Sequence, residues 1–352
     1  SDIAPRSMRT CLCTLLCYMS SAARPAIAKT LGIFTSDICI GHEPGGLLGQ
    51  HPERPERLSG LQEALRHVWM PEFGDALNVY ELEVDVTEEQ LLRVHTGSHV
   101  ARVADAFSRA SWWPFPVNVD RDTLASKGTQ AAATRAAGLV IAAVDAVAGD
   151  HSALDRAFVM ARPPSHHAER DRAMGFCFYN SLMVGVAHAQ TEYGMGRIAI
   201  LDFDVHHGNG HADIARTDPS LLYVSSHQSP CFPGTGTVAR RDGPLANLVN
   251  CPLLPRAGSA EFRGAWSRTL LPAVVDFDPD IIFVSAGFDG HGEDPLASMT
   301  LDDDDFEWIT SEIARLGLPI VSVLEGGYNV EALKRAVYLH VDALIRTGSQ
   351  AC

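Results

Sequence analysis

Six short apolar segments, separated by helical stretches, constrain the fold of this chain more than any other feature of its sequence. Each segment is rich in β-branched and other apolar residues, as expected for strands that are covered on both faces of a sheet. The predicted strands span residues 32–35, 157–161, 198–203, 221–225, 281–285 and 320–324. Because helical patterns alternate with them, we predict one open α/β sheet, mainly parallel, with helices on both faces.

Two of the helical stretches are well marked. Residues 129–147 are rich in alanine and place Val140, Val144 and Val147 at helical spacing. Residues 302–316 open with four consecutive aspartates, which favour the positive end of a helix dipole. Because such a run is also typical of a solvated helix face, we assign these aspartates no chemistry.

Composition and charge argue against several classes of function. The chain has 352 residues, of which 46% are hydrophobic and 20% charged, and its formal net charge is −15. The negative charge disfavours direct nucleic-acid binding. No segment approaches the roughly 18 apolar residues that a membrane-spanning helix needs. Because there are no repeats or linker-like stretches, we predict one catalytic domain over residues 29–352.

The first 28 residues differ from the rest and are left out of the fold prediction. They are basic and contain a short apolar run from Cys11 to Met19. This resembles a weak signal or transit peptide. An expression tag, or a translation start assigned too far upstream, would look the same. The eight cysteines are scattered, which favours free thiols in a reducing compartment. We expect a cytoplasmic protein, or an organelle-targeted one if residues 8–28 are a transit peptide.

Polar clusters follow five of the predicted strands. They lie at residues 162–168, 202–210, 226–236, 286–291 and 325–328. Open α/β sheets bind their ligands at the carboxyl ends of the strands. The sequence therefore predicts that these clusters meet in one site.

Asp204, His206 and Asp289 are the predicted metal ligands. In an extended backbone, residues two apart point the same way, so Asp204 and His206 can reach one ion. Oxygen and nitrogen donors suit zinc, and three protein ligands leave one coordination position open for water, as in catalytic zinc sites. Zinc can lower the pKa of that water to about 7 and polarise a carbonyl group.

The neighbouring residues suggest acid–base chemistry. His166 and His167 are the candidate general base and acid, and Asp202 and Asn209 are candidate partners that orient the two imidazoles. Tyr328, which follows two glycines, can donate its hydroxyl to a developing oxyanion. Together these groups suit the attack of water on an amide or ester.

Seven motifs resemble those of the histone deacetylase and acetylpolyamine amidohydrolase superfamily, in its class II and bacterial members. They are HPERPERL (51–58), RPPSHHA (162–168), GFCFYN (175–180), LDFDVHHGNG (201–210), FPGTG (232–236), SAGFD (285–289) and EGGYN (325–329). The resemblance covers residues 30–345. It implies an arginase-like α/β fold and a zinc-dependent amidohydrolase that acts on acetylated lysine side chains or related N-acetylated amines.

The resemblance also implies a role for each matching residue. It implies that Asp204, His206 and Asp289 bind zinc. It also implies that His166 pairs with Asp202, that His167 pairs with Asn209, and that Tyr328 stabilises the oxyanion. In the expected mechanism, zinc and the two histidines activate a water that attacks the acyl carbonyl. His167 then delivers a proton to the leaving amine.

Substrate and potassium sites follow from the same resemblance. Phe176 and Phe232, beside Gly175 and Gly327, sandwich the methylenes of an acyl-lysine, although from the residues alone core packing suits the two rings nearly as well. Arg57 matches an arginine near an internal channel for acetate. A structural potassium ion is expected near the zinc. Its ligands, partly backbone carbonyls, are expected from Asp202, Asp204, His206, Ser225 and Ser226.

One stretch departs from the family pattern. Many histone-type members carry an aspartate in a rim loop that binds the substrate backbone, whereas residues 111–116 read Ser-Trp-Trp-Pro-Phe-Pro. Asp105 and Asp120 are nearby, and neither is assigned. The expected partner is therefore either an acetylated lysine peptide or protein, or an N-acetylated small amine. The aromatic loop could narrow the entrance or form a contact in a homo-oligomer.

Two other functions fit parts of the pattern. A ureohydrolase of the arginase type, with two manganese ions, would need a further carboxylate two residues after Asp289, where His291 stands. A non-catalytic module that binds acylated ligands would not need Tyr328 or the two adjacent histidines. Metal content tests the first alternative, and turnover tests the second.

Overall fold

The computed structural model describes residues 30–45, 51–149 and 154–347 of the chain. The prediction of a targeting segment in residues 1–28 lies outside the described residues. The strands are β1 Thr30–Thr35, β2 Leu77–Glu81, β3 Val117–Asn118, β4 Leu124–Ala125, β5 Leu154–Met160, β6 Ile198–Asp202, β7 Leu221–Gln228, β8 Arg240–Asp242, β9 Leu248–Leu253, β10 Ile281–Ala286 and β11 Ile320–Leu324.

Helices connect and cover these strands. The α-helices are α1 Glu56–Ala64, α2 Met70–Phe73, α3 Glu88–Leu92, α4 Gly97–Trp112, α5 Thr129–Ala148, α6 Ser181–Tyr193, α7 Asn209–Ala215, α8 Ser259–Ala265, α9 Leu271–Phe277, α10 Asp303–Ala314 and α11 Val330–Arg346. A π-helical turn, Leu65–Trp69, joins α1 to α2, and another, Trp266–Leu270, joins α8 to α9. The last described helix, α11, is capped by Asn329, whose side chain accepts from the N–H groups of Glu331 and Ala332.

Nine strands form one sheet in the order β2-β1-β5-β11-β10-β6-β7-β9-β8. Every described pair in it is parallel except β8–β9. The central strands β6, β7, β10 and β11 are buried along their whole length, because helices cover both faces. The predicted single-domain, mainly parallel α/β fold is confirmed.

All six predicted strands are confirmed; β11 has the predicted ends, and the other five have at least one shifted end. Strand β7 continues three residues beyond its predicted end, to Gln228, so Ser226 and His227 lie inside the strand and not after it. The sequence does not predict β2, β8 or β9, which lie toward the two edges of the sheet. Edge strands lack the continuous apolar run of buried ones, and β8 reads Arg-Arg-Asp.

Two further expectations need correction. Helix α5 is long and apolar enough by composition to cross a membrane, yet 67% of its apolar window is buried inside the protein, as in a core helix. The four aspartates at the start of α10 are not simply a solvated face. Asp305 is fully buried and accepts hydrogen bonds from the Ser259 hydroxyl, the Arg263 side chain and the Asp302 N–H.

Candidate active site

The strand order brings the predicted polar clusters together. Strands β5, β11, β10, β6 and β7 are consecutive neighbours in the sheet, so the loops at their carboxyl ends face one another. Most polar side chains at these strand ends are buried, among them His166, Asp204 and Asp289, which requires internal partners. This edge of the sheet forms the candidate site.

Asp204, His206 and Asp289 converge on one point. Their donor atoms all lie within 4.8 Å of one another. The Nδ1 atom of His206 is 3.2 Å from Asp204 Oδ1 and 3.1 Å from Asp289 Oδ2. Each carboxylate also accepts a backbone hydrogen bond, Asp204 from Gly326 and Asp289 from Val205, both at 2.9 Å. The backbone therefore holds the two carboxylates in place.

Glycines leave the space that these carboxylates occupy. A Cβ atom on Gly287 would overlap the Asp204 carboxylate, and a Cβ on Gly326 would overlap the carboxylates of both Asp204 and Asp289. Burial, together with the nearby Asp204 carboxylate, raises the pKa of Asp289 to about 7. Crowded buried carboxylates of this kind are stabilised by a cation, and an O, N, O donor set fits zinc.

The two adjacent histidines have different partners. The rings of His166 and His167 lie 4.0 Å apart, centroid to centroid. Nδ1 of His166 is 3.3 Å from Asp202 Oδ2, and Nδ1 of His167 is 2.8 Å from Asn209 Oδ1. Both pairings therefore form in the structure as the sequence predicts.

The Asn209 amide sets the tautomer of His167. Its Nδ2 atom donates to Glu169 Oε1 at 2.7 Å, so its Oδ1 atom must face His167. His167 consequently carries a hydrogen on Nδ1 and leaves Nε2 as an acceptor. Burial and the charges of His166 and His206 lower the pKa of His167 well below its usual value. Burial also opposes protonation of His166, but the Asp204 and Asp202 carboxylates raise its pKa to about 10.

Buried charged residues support the site from behind. Glu325 accepts hydrogen bonds from the backbone N–H groups of Ser165 and His166 and from the Ser165 hydroxyl. Burial raises the pKa of Glu325 to about 7. Arg57 donates to the carbonyls of Glu325 and Gly327 and lies 4.8 Å from the centroid of the Tyr328 ring. Sequence reasoning found Arg57 and missed the role of Glu325.

A second layer lies behind Arg57. Glu53 is fully buried and binds Arg162, with a 2.6 Å bond from Arg162 Nε to Glu53 Oε1, and Arg57 at 3.3 Å. His42 lies 3.4 Å from the same carboxylate. Both Glu53 and Arg162 lie in the motifs that carry the family resemblance, and that is the signal that could have found them.

A cavity of about 200 Å³ leads to His206, one of the predicted metal ligands. It is lined by Asp122, His167, Gly175, Phe176, His206, Phe232, Leu296 and Tyr328. Phe232 is 40% exposed and Phe176 is half-buried, so both rings line the cavity and neither belongs to the core. Gly327 is not among the lining residues, and its carbonyl binds Arg57 instead.

Asp122 and Leu296 are lining residues that the sequence prediction missed. Asp122 lies in the β3–β4 hairpin and accepts a 2.9 Å hydrogen bond from the Gly175 N–H. The site entrance therefore has a carboxylate, although residues 111–116 contain none. Nothing local distinguishes Asp122 from Asp120, which instead binds Arg172. Only the path of the hairpin reveals the difference.

Three of the predicted potassium ligands lie on the neighbouring strands β6 and β7, and the other two, Asp204 and His206, follow the end of β6. Asp202 on β6 pairs in register with Ser225 on β7. The Ser225 hydroxyl lies 2.9 Å from His227 Nδ1, and the Ser226 hydroxyl accepts from Trp266 at 2.9 Å.

Comparison with known proteins agrees with this geometry. A family model described as "Histone deacetylase domain" matches residues 51–344. The chain belongs to the histone deacetylase family. Membership makes it a hydrolase of the deacetylase type, so the ureohydrolase and the non-catalytic module are set aside.

Relatives within the histone deacetylase family cover most of the chain. It is 40% identical over 253 residues to a probable deacetylase of Methanothermobacter thermautotrophicus, and the alignment covers 70% of this chain and 73% of that protein. It is 38% identical over 252 residues to the histone deacetylase-like amidohydrolase of Pseudomonas aeruginosa, covering 69% and 64%. The HD domain of HDA15 superposes with a TM-score of 0.82 at 28% identity, over 92% of both chains.

Proposed function

We propose that this deacetylase-family enzyme is a zinc-dependent deacylase of acetylated lysine side chains or of related N-acetylated amines. One observation carries the proposal. His206, which converges with Asp204 and Asp289, lines the same cavity as His167 and Tyr328. The donor atoms, an acid–base group and a hydroxyl donor therefore face the same small volume.

Asp204, His206 and Asp289 would hold the zinc ion through two carboxylates and one imidazole nitrogen. When bound, zinc supplies a Lewis acid that polarises the acyl carbonyl and makes a neighbouring water more acidic. The carboxylates of Asp204 and Asp289 are already anchored by backbone N–H groups, so the donor set is organised before the ion arrives.

His167 would act as the general base and then as the general acid. Its Nε2 atom is free to accept, because Asn209 holds the hydrogen on Nδ1, and its lowered pKa keeps it neutral before reaction. It takes a proton from the attacking water and delivers it to the leaving amine. His166, whose Nδ1 atom faces Asp202, lies beside His167 and would help to activate the same water.

Tyr328 would stabilise the oxyanion that forms at the acyl carbon. Burial raises its pKa well above the usual value, against the opposing charge of Arg57, so the hydroxyl keeps its proton at neutral pH. A hydrogen bond of 2.6 Å from the Tyr328 backbone N–H to Asp294 fixes the backbone of the β11–α11 loop at Tyr328. The donor is thus held ready before the substrate binds.

Phe176 and Phe232 would contact the apolar stem of the substrate. Both rings line the cavity, and the Phe232 ring lies edge-on to His167 at 5.0 Å between centroids. A linear acyl-lysine stem suits such a channel, and an acetylpolyamine is the second candidate substrate. We also propose that potassium binds beside Asp202 and Ser225, which the sheet register brings side by side.

The test compares substrates on one zinc-loaded sample. Hydrolysis of acetyl-lysine peptides and of acetylpolyamines is measured at equal concentration, with metal content determined in parallel. We expect about one zinc per chain and turnover that is lost on chelation and restored by zinc. Preference for the peptide supports a lysine deacylase, and preference for the polyamine selects the second candidate. Turnover of neither substrate by a zinc-loaded enzyme contradicts the proposal.

A further inference from the structure

A tight turn carries Phe176 into the wall of the cavity. Met174 and Cys177 exchange two backbone hydrogen bonds, of 3.2 and 3.0 Å, across Gly175 and Phe176. The φ angles of these two central residues are 57° and 68°. Two positive φ values between such a pair are the mark of a type I′ turn.

This turn does not suit the residue that it carries. Type I′ turns favour Asn-Gly or Gly-Gly, and a bulky side chain rarely adopts the left-handed region. Gly175 meets the requirement, and a Cβ atom there would also overlap the His167 ring. Phe176 does not meet it, so its conformation needs support from outside the turn.

The β3–β4 hairpin supplies that support. The Phe176 N–H donates to the Thr123 hydroxyl at 3.1 Å, and the Gly175 N–H donates to the Asp122 carboxylate at 2.9 Å. The Thr123 hydroxyl in turn donates to Asp122 at 3.0 Å. Thr123 is fully buried, so no water can take over its hydrogen bond to the turn.

The held ring is a wall of the substrate channel. The Phe176 ring lies 4.8 Å from the His51 ring and 5.9 Å from the Tyr328 ring, centroid to centroid, edge-on to both. A rotation of the turn would move this ring relative to the cavity that Tyr328 and Phe232 also line. The conformation of Phe176 therefore controls the width of the channel.

We propose that Thr123 is a specificity-determining positioning residue. Its hydroxyl holds Phe176 in the left-handed conformation and so sets the width of the channel for a linear acyl-amine stem. Thr123 itself touches no substrate and acts through Phe176. The inference rests on the proposed function, because it takes the cavity to be the channel of a deacylase.

The first experiment replaces Thr123 with valine, which keeps the shape and removes the hydroxyl. We expect KM for an acetyl-lysine peptide to rise about three- to tenfold, the effect of one lost hydrogen bond, with kcat within about twofold. Thr123→Ser, which keeps the hydroxyl, should restore KM. Thr191→Val is the matched control, because Thr191 is exposed near the end of α6 and its hydroxyl donates to the Ala187 carbonyl. A purely structural role would lower kcat through loss of folded enzyme and leave KM unchanged.

The second experiment tests whether Thr123 acts through Phe176. In a Phe176→Gly background the left-handed conformation costs nothing and there is no ring to position. Adding Thr123→Val should then leave KM the same as in Phe176→Gly alone. If the two residues acted independently, their effects on KM would add in free energy. An unaltered KM in Thr123→Val alone overturns the proposal, and so does an equal rise in the Phe176→Gly background.

A binding measurement separates this inference from the proposed function. The Kd of the acetyl-lysine peptide is measured by calorimetry in zinc-loaded Tyr328→Phe, with and without Thr123→Val. We expect Thr123→Val to raise this Kd about three- to tenfold, the effect of one lost hydrogen bond. If the wild-type enzyme hydrolyses the peptide but Thr123→Val does not change the Kd, the inference about Thr123 is contradicted and the proposed function stands. A wild-type enzyme that neither binds nor hydrolyses the peptide contradicts both.

Discussion

The floor and the rim of the site are built in opposite ways. The floor comprises Asp204, His206 and Asp289, which are almost completely buried at the ends of central strands. The rim comprises Asp122, Phe176, Phe232 and Leu296, which lie on loops or on the small hairpin. Phe232 and Leu296 are 40% and 37% exposed.

This contrast separates chemistry from selection. The floor depends on backbone N–H groups and glycine contacts that tolerate almost no change. The rim depends on a few side-chain contacts between loops, such as the one from Thr123 to Phe176. We therefore expect changes in the floor to abolish metal binding or catalysis, and changes in the rim to alter the choice of substrate.

The largest effect is expected from Asp289→Asn in the floor. The amide removes one anionic ligand of the proposed zinc ion, so zinc affinity and activity should both fall by more than about a hundredfold, which exceeds the loss expected for a residue that only orients a ligand. Metal analysis and turnover on the same sample measure this. A variant that keeps both zinc and activity would show that Asp289 is not a ligand.

A stability effect is expected from Glu53→Gln behind the floor. Removing this carboxylate leaves Arg57 and Arg162 buried without a counter-charge, which should lower the free energy of unfolding by about 3–5 kcal/mol. Urea denaturation at neutral pH measures the change. Glu56→Gln, at an exposed carboxylate, is the matched control and should change stability by less than about 0.5 kcal/mol.

Glu53→Gln should also change how the free energy of unfolding depends on pH in acid. Burial opposes ionisation, but Arg162 and His42 lower the pKa of Glu53 from 4.5 to about 2. Because the folded pKa is below the unfolded one, the stabilisation is complete above about pH 4.5 and is lost as the pH falls toward 2. In Glu53→Gln the free energy of unfolding should fall less steeply over this pH range. An unchanged pH dependence would argue against the ion pair.

A catalytic effect is expected from Tyr328→Phe, at the border of floor and rim. Loss of one oxyanion donor should lower kcat by about 10²- to 10³-fold, with KM and zinc content nearly unchanged. Steady-state kinetics and metal analysis check this. Full activity in the variant would rule out the oxyanion role of the tyrosine.

The smallest effect is expected from Phe232→Ala in the rim. Removing a 40% exposed ring should raise KM for an acetyl-lysine peptide about threefold to tenfold, with stability changed by less than about 1 kcal/mol. Trp112→Ala, at a 69% exposed ring outside the cavity lining, is the control and should leave KM unchanged. A loss of zinc in Phe232→Ala would show that floor and rim are not separable.

Much of the floor could be predicted because its signals are local. A buried strand followed at once by Asp204 and His206 places both side chains at a sheet edge, whatever the rest of the chain does. The partners of the two histidines also lie in strand-end motifs, and the structure brings Asp202 and Asn209 to them. Glycines at 287 and 326 gave no such signal, because their role depends on carboxylates from other strands.

The family resemblance pointed to Phe176 and Phe232 in the rim, but Asp122 and Leu296 were missed because no local pattern marks them. Asp122 and Asp120 are equivalent in the sequence, but they point to Gly175 and Arg172 in the fold. The strand ending assumed for β7 was wrong for the same reason, since pairing with β9 extends β7 through Ser226 to Gln228. Strand pairing, and not apolar character, sets the end of that strand.

The sequence by itself determined the fold class, the family and the chemical groups, because apolar periodicity and motif spacing are properties of the local chain. The tertiary structure alone decided which strand ends are neighbours, that a left-handed Phe176 forms the channel wall, and that Asp122 reaches the entrance. These features arise from hydrogen bonds and packing between segments far apart in the chain, such as Thr123 with Phe176. No local pattern records such contacts.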